Sequence, residues 1–330
     1  MATHTAASLG KEYQTLLNTT YPEGREQIQA VFQSFNLEAL AKRAGSVMGK
    51  ESTSIFPIAQ GGYNSVFAVT FGDGTDVLVR IAGSCRHAPL SDELAKLVFD
   101  SEIATLKYLQ ANTSIPIPEV YYSNSDRKKA GARFMIIQRF DGIPVHYVWD
   151  DLSFEQQKDI VAQWMPMQAE LSKQKFNAIG CLTTEAGAVG PLLPSSIAED
   201  ILRAPHWGPF RSTPESLEGH VRSALDGLAA NTEKRAFLKH LLVAIRTLPT
   251  DKFHNERLIL IHGDLSFGNL LHTSPNKIVG VIDWEGSRVL PVWAAFQQPD
   301  FMCGMPSEEA VREILEFRTE DTSANPGSAT

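Results

Sequence analysis

The chain has 330 residues, 43% hydrophobic and 21% charged, with a formal net charge of −8. That composition builds a core of ordinary size, and 330 residues suit one large domain or two lobes around a cleft. The acidic balance speaks against a nucleic-acid binder with a broad basic surface and is compatible with a cationic small-molecule ligand.

Residues 1 to about 24 are polar and end in the loop-like "YPEG". A helical pattern follows, with Ile28, Val31, Phe32 and Phe35 on one face. Asn36 is placed to cap a second helix beginning at Leu37. The pattern then turns to β: "STSIFPIA", the glycine-containing "QGGYN", "SVFAVTF", the tight-turn pair Asp73-Gly74, and "TDVLVRIA". A long helix is expected over Asp92–Gln110, striped by Leu94, Leu97, Val98, Leu106 and Leu109. Pro116 and Pro118 keep "SIPIPEVYYS" extended. "RKKAGA" reads as a charged turn, "RFMIIQRF" as a buried strand, and "DGIP" as its end.

From Ser153 the chain reads as mainly helical. Ser153 and Gln156 form a capping box, and Pro166 is expected to kink the helix that follows. Residues 177 to 215 read as a long irregular connection, followed by helices near 216–229 and 232–247. "LILIHGDLSFGNLL" and "KIVGVIDWEGS" then supply short strands around a polar loop, and the tail "SANPGSAT" reads as disordered. No apolar run of about 18 residues or more marks a membrane span. The opening "MATHTAASLGKEYQ" lacks the apolar core of a signal peptide, so a cytoplasmic location is expected. Cys85, Cys181 and Cys303 form no CxxC pair and read as packed thiols of a reducing compartment.

The chemistry is concentrated late in the chain. His262, Asp264 and Asn269 have the His-x-Asp-x4-Asn spacing of a kinase catalytic loop, and Asp283 ends the apolar strand just downstream. Asn269 and Asp283 offer two hard oxygen ligands for Mg²⁺ if their strands pair as a hairpin. Asp264 can then accept a proton from an attacking hydroxyl or orient it. Upstream, Gly61 and Gly62 let backbone N–H groups approach phosphates, although a double glycine is also a plain hairpin turn. Arg80 lies on the third strand, and Glu102 lies on the following helix to meet it.

These parts stand in an order that resembles the aminoglycoside phosphotransferase and choline kinase-like family, especially its fungal branch. "IHGDLSFGNLL" and "VIDWE" carry the likeness, "GGYNSVF" and "SEIATLKYL" support it, and it covers residues 50 to 305. The resemblance implies an α+β, bilobal, protein-kinase-like fold, with a β-rich N-lobe bearing one long helix and a mainly helical C-lobe. It implies ATP and Mg²⁺, with transfer of the γ-phosphoryl group to a hydroxyl on a small-molecule acceptor. It assigns Asp264 as the catalytic aspartate, Asn269 and Asp283 as metal ligands, and Arg80 with Glu102 as the phosphate-positioning pair. Gly61, Gly62, Asn64 and Ser65 belong to its nucleotide side, with the adenine against the strand ending in Gln138, Arg139 and Phe140. The expected divisions are an N-terminal helical extension (1–49), the N-lobe (50–140), the C-lobe (141–322) and a tail (323–330).

Gly263 replaces the arginine with which protein kinases bind a phosphorylated activation loop, and Ser266 replaces their substrate-side lysine. "DWEG" is not Asp-Phe-Gly, and no Ala-Pro-Glu follows. These departures favour a small molecule over a protein as acceptor. Arg80 stands at the family's lysine position, an exchange that is not conservative at a phosphate. It motivates the alternative of a nucleotide-binding pseudokinase with a regulatory or binding role, as does the stretch of only 47 residues after Asp283. Trp149, Trp207, Trp284 and Trp293 could box a cationic amine, with core packing the plainer reading. Glu285 and Asp300 could bind an amine, with a solvated surface position the plainer reading.

Overall fold

The computed structural model describes residues 34–60, 64–83, 90–193, 206–228, 233–253, 255–273 and 277–295. The helix expected around Ile28 to Phe32, Gly61 and Gly62, Cys85, Asp300, Cys303 and the tail lie outside these residues.

Helix α1 spans Leu37–Met48. The Asn36 side chain accepts the Ala39 N–H at 3.0 Å and so satisfies one of the first-turn donors. Five strands follow: β1 (Ser52–Gln60), β2 (Asn64–Phe71), β3 (Asp76–Ala82), β4 (Val120–Asn124) and β5 (Phe134–Gln138). They form one sheet in the order β1-β2-β3-β5-β4. Every neighbouring pair is antiparallel. "RKKAGA" is more than a turn: Arg127–Ala130 makes one helical turn, α3, closed by Gly131 in the left-handed region.

Strand periodicity decides which side each residue of β3 faces. Val77, Val79 and Ile81 pack with Leu40 and Ala44 of α1 on one side of the sheet. Leu78 and Ala82 pack against the larger cluster on the other side, and Arg80 shares their phase. That side is covered by α2 (Asp92–Asn112), opened by Ser91, whose hydroxyl accepts the Leu94 N–H at 3.2 Å. Glu102 lies four residues from Val98 and four from Leu106, in the buried stripe of α2. Sheet phase and helix phase therefore aim Arg80 and Glu102 at each other.

"DGIP" does more than end β5. Ile143–Pro144 forms β6, which pairs with β8 (Leu270–Thr273), and β8 pairs with β9 (Lys277–Val281). Two 3₁₀ turns follow β6, Val145–Tyr147 and Trp149–Asp151. Helix α4 (Phe154–Lys173) has both bonds of the capping box between Ser153 and Gln156, and it runs on through Pro166. Helices α5 (Thr213–Asp226) and α6 (Glu233–Arg246) pack through Val221, Leu225 and Ile245. Strand β7 (Leu258–Ile261) pairs with β10 (Arg288–Pro291), which the sequence reading did not separate from the loop before it. A final turn, α7, spans Val292–Ala295. The irregular segment before α5 is anchored by backbone bonds between Ile179 and Phe210 and between Gly180 and Val289.

The largest core cluster is continuous from the sheet to the hairpin. It joins Met135 and Ile137 of β5, Phe99 and Leu106 of α2, Ile160 and Trp164 of α4, and Leu270, Val281 and Trp284. Trp284 is fully buried, and its Nε1 donates to the Val281 carbonyl at 3.0 Å. Truncating it leaves a cavity at the meeting point of helix and hairpin. Trp284→Ala is expected to lose about 3–5 kcal/mol in urea unfolding.

Candidate active site

The polar loop between β7 and β8 is held by its histidine. His262 is buried, and its Nε2 lies 2.9 Å from the Ile282 carbonyl oxygen. The Asp264 N–H points to His262 Nδ1 at 3.3 Å. A carbonyl only accepts and an N–H only donates, so the ring fits as the neutral tautomer with its proton on Nε2. Burial lowers the His262 pKa, against the opposing pull of the Ile282 bond and of Asp283 and Asp264. The Trp284 ring lies 4.4 Å away between centroids. His262 therefore ties the loop to the segment carrying Asp283, as an anchor and not as a base.

Gly263 is a steric requirement as well as a departure from protein kinases. Its φ is 84°, and a Cβ there would overlap the Gly286 carbonyl oxygen. Two backbones pass too closely for any side chain, the arginine of protein kinases included.

The hairpin brings the expected metal ligands together. Leu270 pairs with Val281, and the Ile282 N–H donates to the Asn269 carbonyl at 2.9 Å. Asn269 Nδ2 donates to the Asp264 carbonyl at 2.7 Å and approaches Asp264 Oδ2 at 3.4 Å. That fixes the amide orientation and leaves Oδ1 as its remaining side-chain acceptor. Asp283 has φ 65°, and among the described residues no other non-glycine has positive φ. A strained backbone of this kind costs about 1–3 kcal/mol and is characteristic of functional loops. Its side chain is 41% exposed. Among the described residues no group of three or more His, Cys, Asp or Glu forms a ready metal cage. One carboxylate and one amide oxygen still suit Mg²⁺, which keeps waters and takes substrate phosphates as its other ligands.

The N-lobe reaches the hairpin through Arg80. Its Nη1 is paired with Glu102, while Nη2 contacts Asp283 Oδ1 at 2.8 Å and Glu285 Oε2 at 3.3 Å. Asn64 Nδ2 donates to the same Glu285 oxygen at 3.1 Å. Glu285 is thus a correction to the sequence reading: it is largely buried against the N-lobe and is not a solvated surface residue. The available signal was its position two residues after Asp283, where a turn keeps both carboxylates on one side. Burial works against the Arg80 charge, but Glu102, Asp283 and Glu285 outweigh it and raise its pKa. Burial also raises Glu102, to about 7; Arg80 opposes that shift, and the Glu285 and Asp283 charges add to it.

The other expected site residues are spread along the sheet. Asn64 and Ser65 are buried at the start of β2, paired in register with Ala82 and Ile81. The Gln138 N–H is taken by the Glu119 carbonyl at 2.9 Å. Phe140 lies over Gly280, where a Cβ would crowd the ring, and so joins the strand end to the hairpin. Trp284 is core and closed to a ligand, Trp149 stacks on Phe267 at 3.9 Å, and Trp293 is exposed.

The antiparallel sheet with its long helix, joined to a helical region carrying this loop, defines a protein-kinase-like fold. The Phosphotransferase enzyme family model matches residues 54–294, and the chain belongs to that family. It is similar to two subtelomeric hrmA-associated cluster proteins from Aspergillus fumigatus strains, at 25% and 26% identity. Each match covers 75% of this chain and 60% of the relative, so the chain spans less than two thirds of their length. A candidate aminoglycoside phosphotransferase from Ralstonia eutropha shares the fold, with a TM-score of 0.50 at 16% identity. That superposition covers 89% of this chain and 82% of the other. Among the described residues no helix is long and apolar enough to cross a membrane.

Two outcomes are expected. Gly263→Ala destabilises the chain strongly in thermal melts, whereas Gly286→Ala, whose Cβ meets only ordinary contacts, is tolerated. His262 is expected to protonate at lower pH than a free imidazole, read from imidazole ¹⁵N shifts. Its contribution to stability is complete above about pH 6.5 and is lost as pH falls through its lowered folded value, because the unfolded ring protonates first.

Proposed function

We propose that the chain transfers the γ-phosphoryl group of ATP to a hydroxyl of a small molecule, with Mg²⁺ held by Asn269 and Asp283. The observation that carries this reading is the contact of Arg80, already paired with Glu102, with the hairpin that bears Asp283. A cation from the sheet thereby meets the carboxylate after the hairpin, next to the loop that carries Asp264.

In this reading each side chain has a separate task. Asp264 accepts the proton of the acceptor hydroxyl or orients that hydroxyl for in-line attack. Asn269 is held in register by the Asp264 carbonyl, so its free oxygen points away from that bond. Asp283 supplies the second oxygen from a backbone held in the left-handed region. Mg²⁺, when bound, offsets charge on the phosphates. Arg80 adds positive charge beside them, and Glu102 keeps the guanidinium from swinging away. Backbone groups around Gly61 and Gly62, with Asn64 and Ser65, cradle the phosphates, and the strand end at Gln138 and Phe140 meets the adenine. The acceptor is a hydroxyl compound, and a cationic one suits the chain's net charge of −8.

One observation favours the pseudokinase reading: Arg80 itself contacts one oxygen of the Asp283 carboxylate that would hold metal. Turnover separates the two. ADP release is expected with Mg²⁺·ATP and at least one member of a panel of amino alcohols, aminoglycosides, sugars and choline. Asp264→Asn should lower that turnover by about 10²–10⁴-fold while leaving nucleotide binding in place. Nucleotide binding with no turnover above the Asp264→Asn level would favour the pseudokinase.

A further inference from the structure

Arg80 meets three carboxylates with one guanidinium. The two ends of the fork have different duties. Nη1 is committed to Glu102 in the core between sheet and helix, whereas Nη2 lies between two acceptors, Asp283 at 2.8 Å and Glu285 at 3.3 Å. A lysine has a single charged nitrogen and could not hold both ends at once.

Resting on the metal site proposed above, the nearer acceptor creates a conflict. A divalent cation at Asp283 and a guanidinium on the same carboxylate repel each other at short range, and in a partly buried site that repulsion is weakly screened. That repulsion is relieved if Nη2 has another acceptor within reach. Glu285 Oε2 is that acceptor, and the Asn64 side-chain amide already holds it at 3.1 Å. Asn64 is itself buried at the start of β2, directly after the glycine stretch. Its Oδ1 is buried without a partner, so the contact with Glu285 is the one hydrogen bond that its side-chain amide makes among the described residues.

We propose that Glu285 is a positioning residue that takes Nη2 of Arg80 from Asp283 when a divalent cation binds, so that one ion-pair exchange couples metal loading to the contact between the lobes. Before loading, Arg80 contacts Asp283 and offsets its charge. After loading, Glu285 and Asn64 hold Arg80 in the cleft beside the phosphates, while Glu102 keeps its other end fixed. No bond is made or broken; one hydrogen-bonded ion pair replaces another.

The test uses the full chain, MgCl2 and the non-hydrolysable nucleotide AMP-PNP, followed by titration calorimetry. In Glu285→Gln, AMP-PNP affinity should fall by a larger factor in the presence of Mg²⁺ than in its absence. The Mg²⁺ concentration that half-saturates metal-dependent tightening should rise roughly tenfold, the size of one charge-assisted contact. An unchanged Mg²⁺ requirement, or an equal loss with and without metal, overturns the exchange. If the wild type binds AMP-PNP neither with nor without Mg²⁺, the phosphotransferase reading fails and this inference with it. A crystal structure of the wild type with Mg²⁺ and AMP-PNP tests the exchange without any variant. Nη2 should lie within hydrogen-bond distance of Glu285 and off the metal-bound Asp283 oxygen; Nη2 still on that oxygen overturns the proposal.

Discussion

The site depends on one buried guanidinium. Burying an unpaired charge is prohibitive, so Arg80 is tolerable only because Glu102, Asp283 and Glu285 surround it. Those partners come from two parts of the chain: Glu102 from the long helix, and Asp283 and Glu285 from the turn after the hairpin. Removing any one changes the charge balance for the others. Carboxylates outnumber guanidinium three to one around Arg80. A site with this excess attracts cations, and Mg²⁺ carried by a nucleotide is the cation that the proposed activity requires.

The second constraint is packing around the loop that carries Asp264. His262 reaches across to the Ile282 carbonyl, Gly263 lies against the Gly286 backbone, and Trp284 fills the space beneath both. These contacts tie the loop to the turn after the hairpin. Asp264, Asn269 and Asp283 are thereby kept in one relation to each other, even though 19 residues separate the first from the last. Pre-organisation of this kind is what allows small polar groups to act without first being ordered.

Much of this was legible in the sequence because it is local. The Asn36 cap and the Ser153–Gln156 capping box each arise within a few residues, and each took its expected form. What escaped was non-local. "DGIP" reads as a strand end, yet Ile143–Pro144 finds a partner in His272 and Leu271 about 130 residues later. The strand Arg288–Pro291 is too short to announce itself and exists because β7 lies beside it. Glu285 has the composition of a surface residue, and only the approach of Asn64 and Arg80 makes it part of the site.

The sequence by itself determined the family, the order of the chemical groups and the faces on which they lie, since periods of two and 3.6 residues fix side-chain direction from local geometry alone. Only the tertiary structure decided which charges share a partner. Long-range electrostatics depends on distances between segments that no spacing along the chain encodes. That is why the pairing of Arg80 with Glu102 could be anticipated from its motif, while its hold on Asp283 and Glu285 could not.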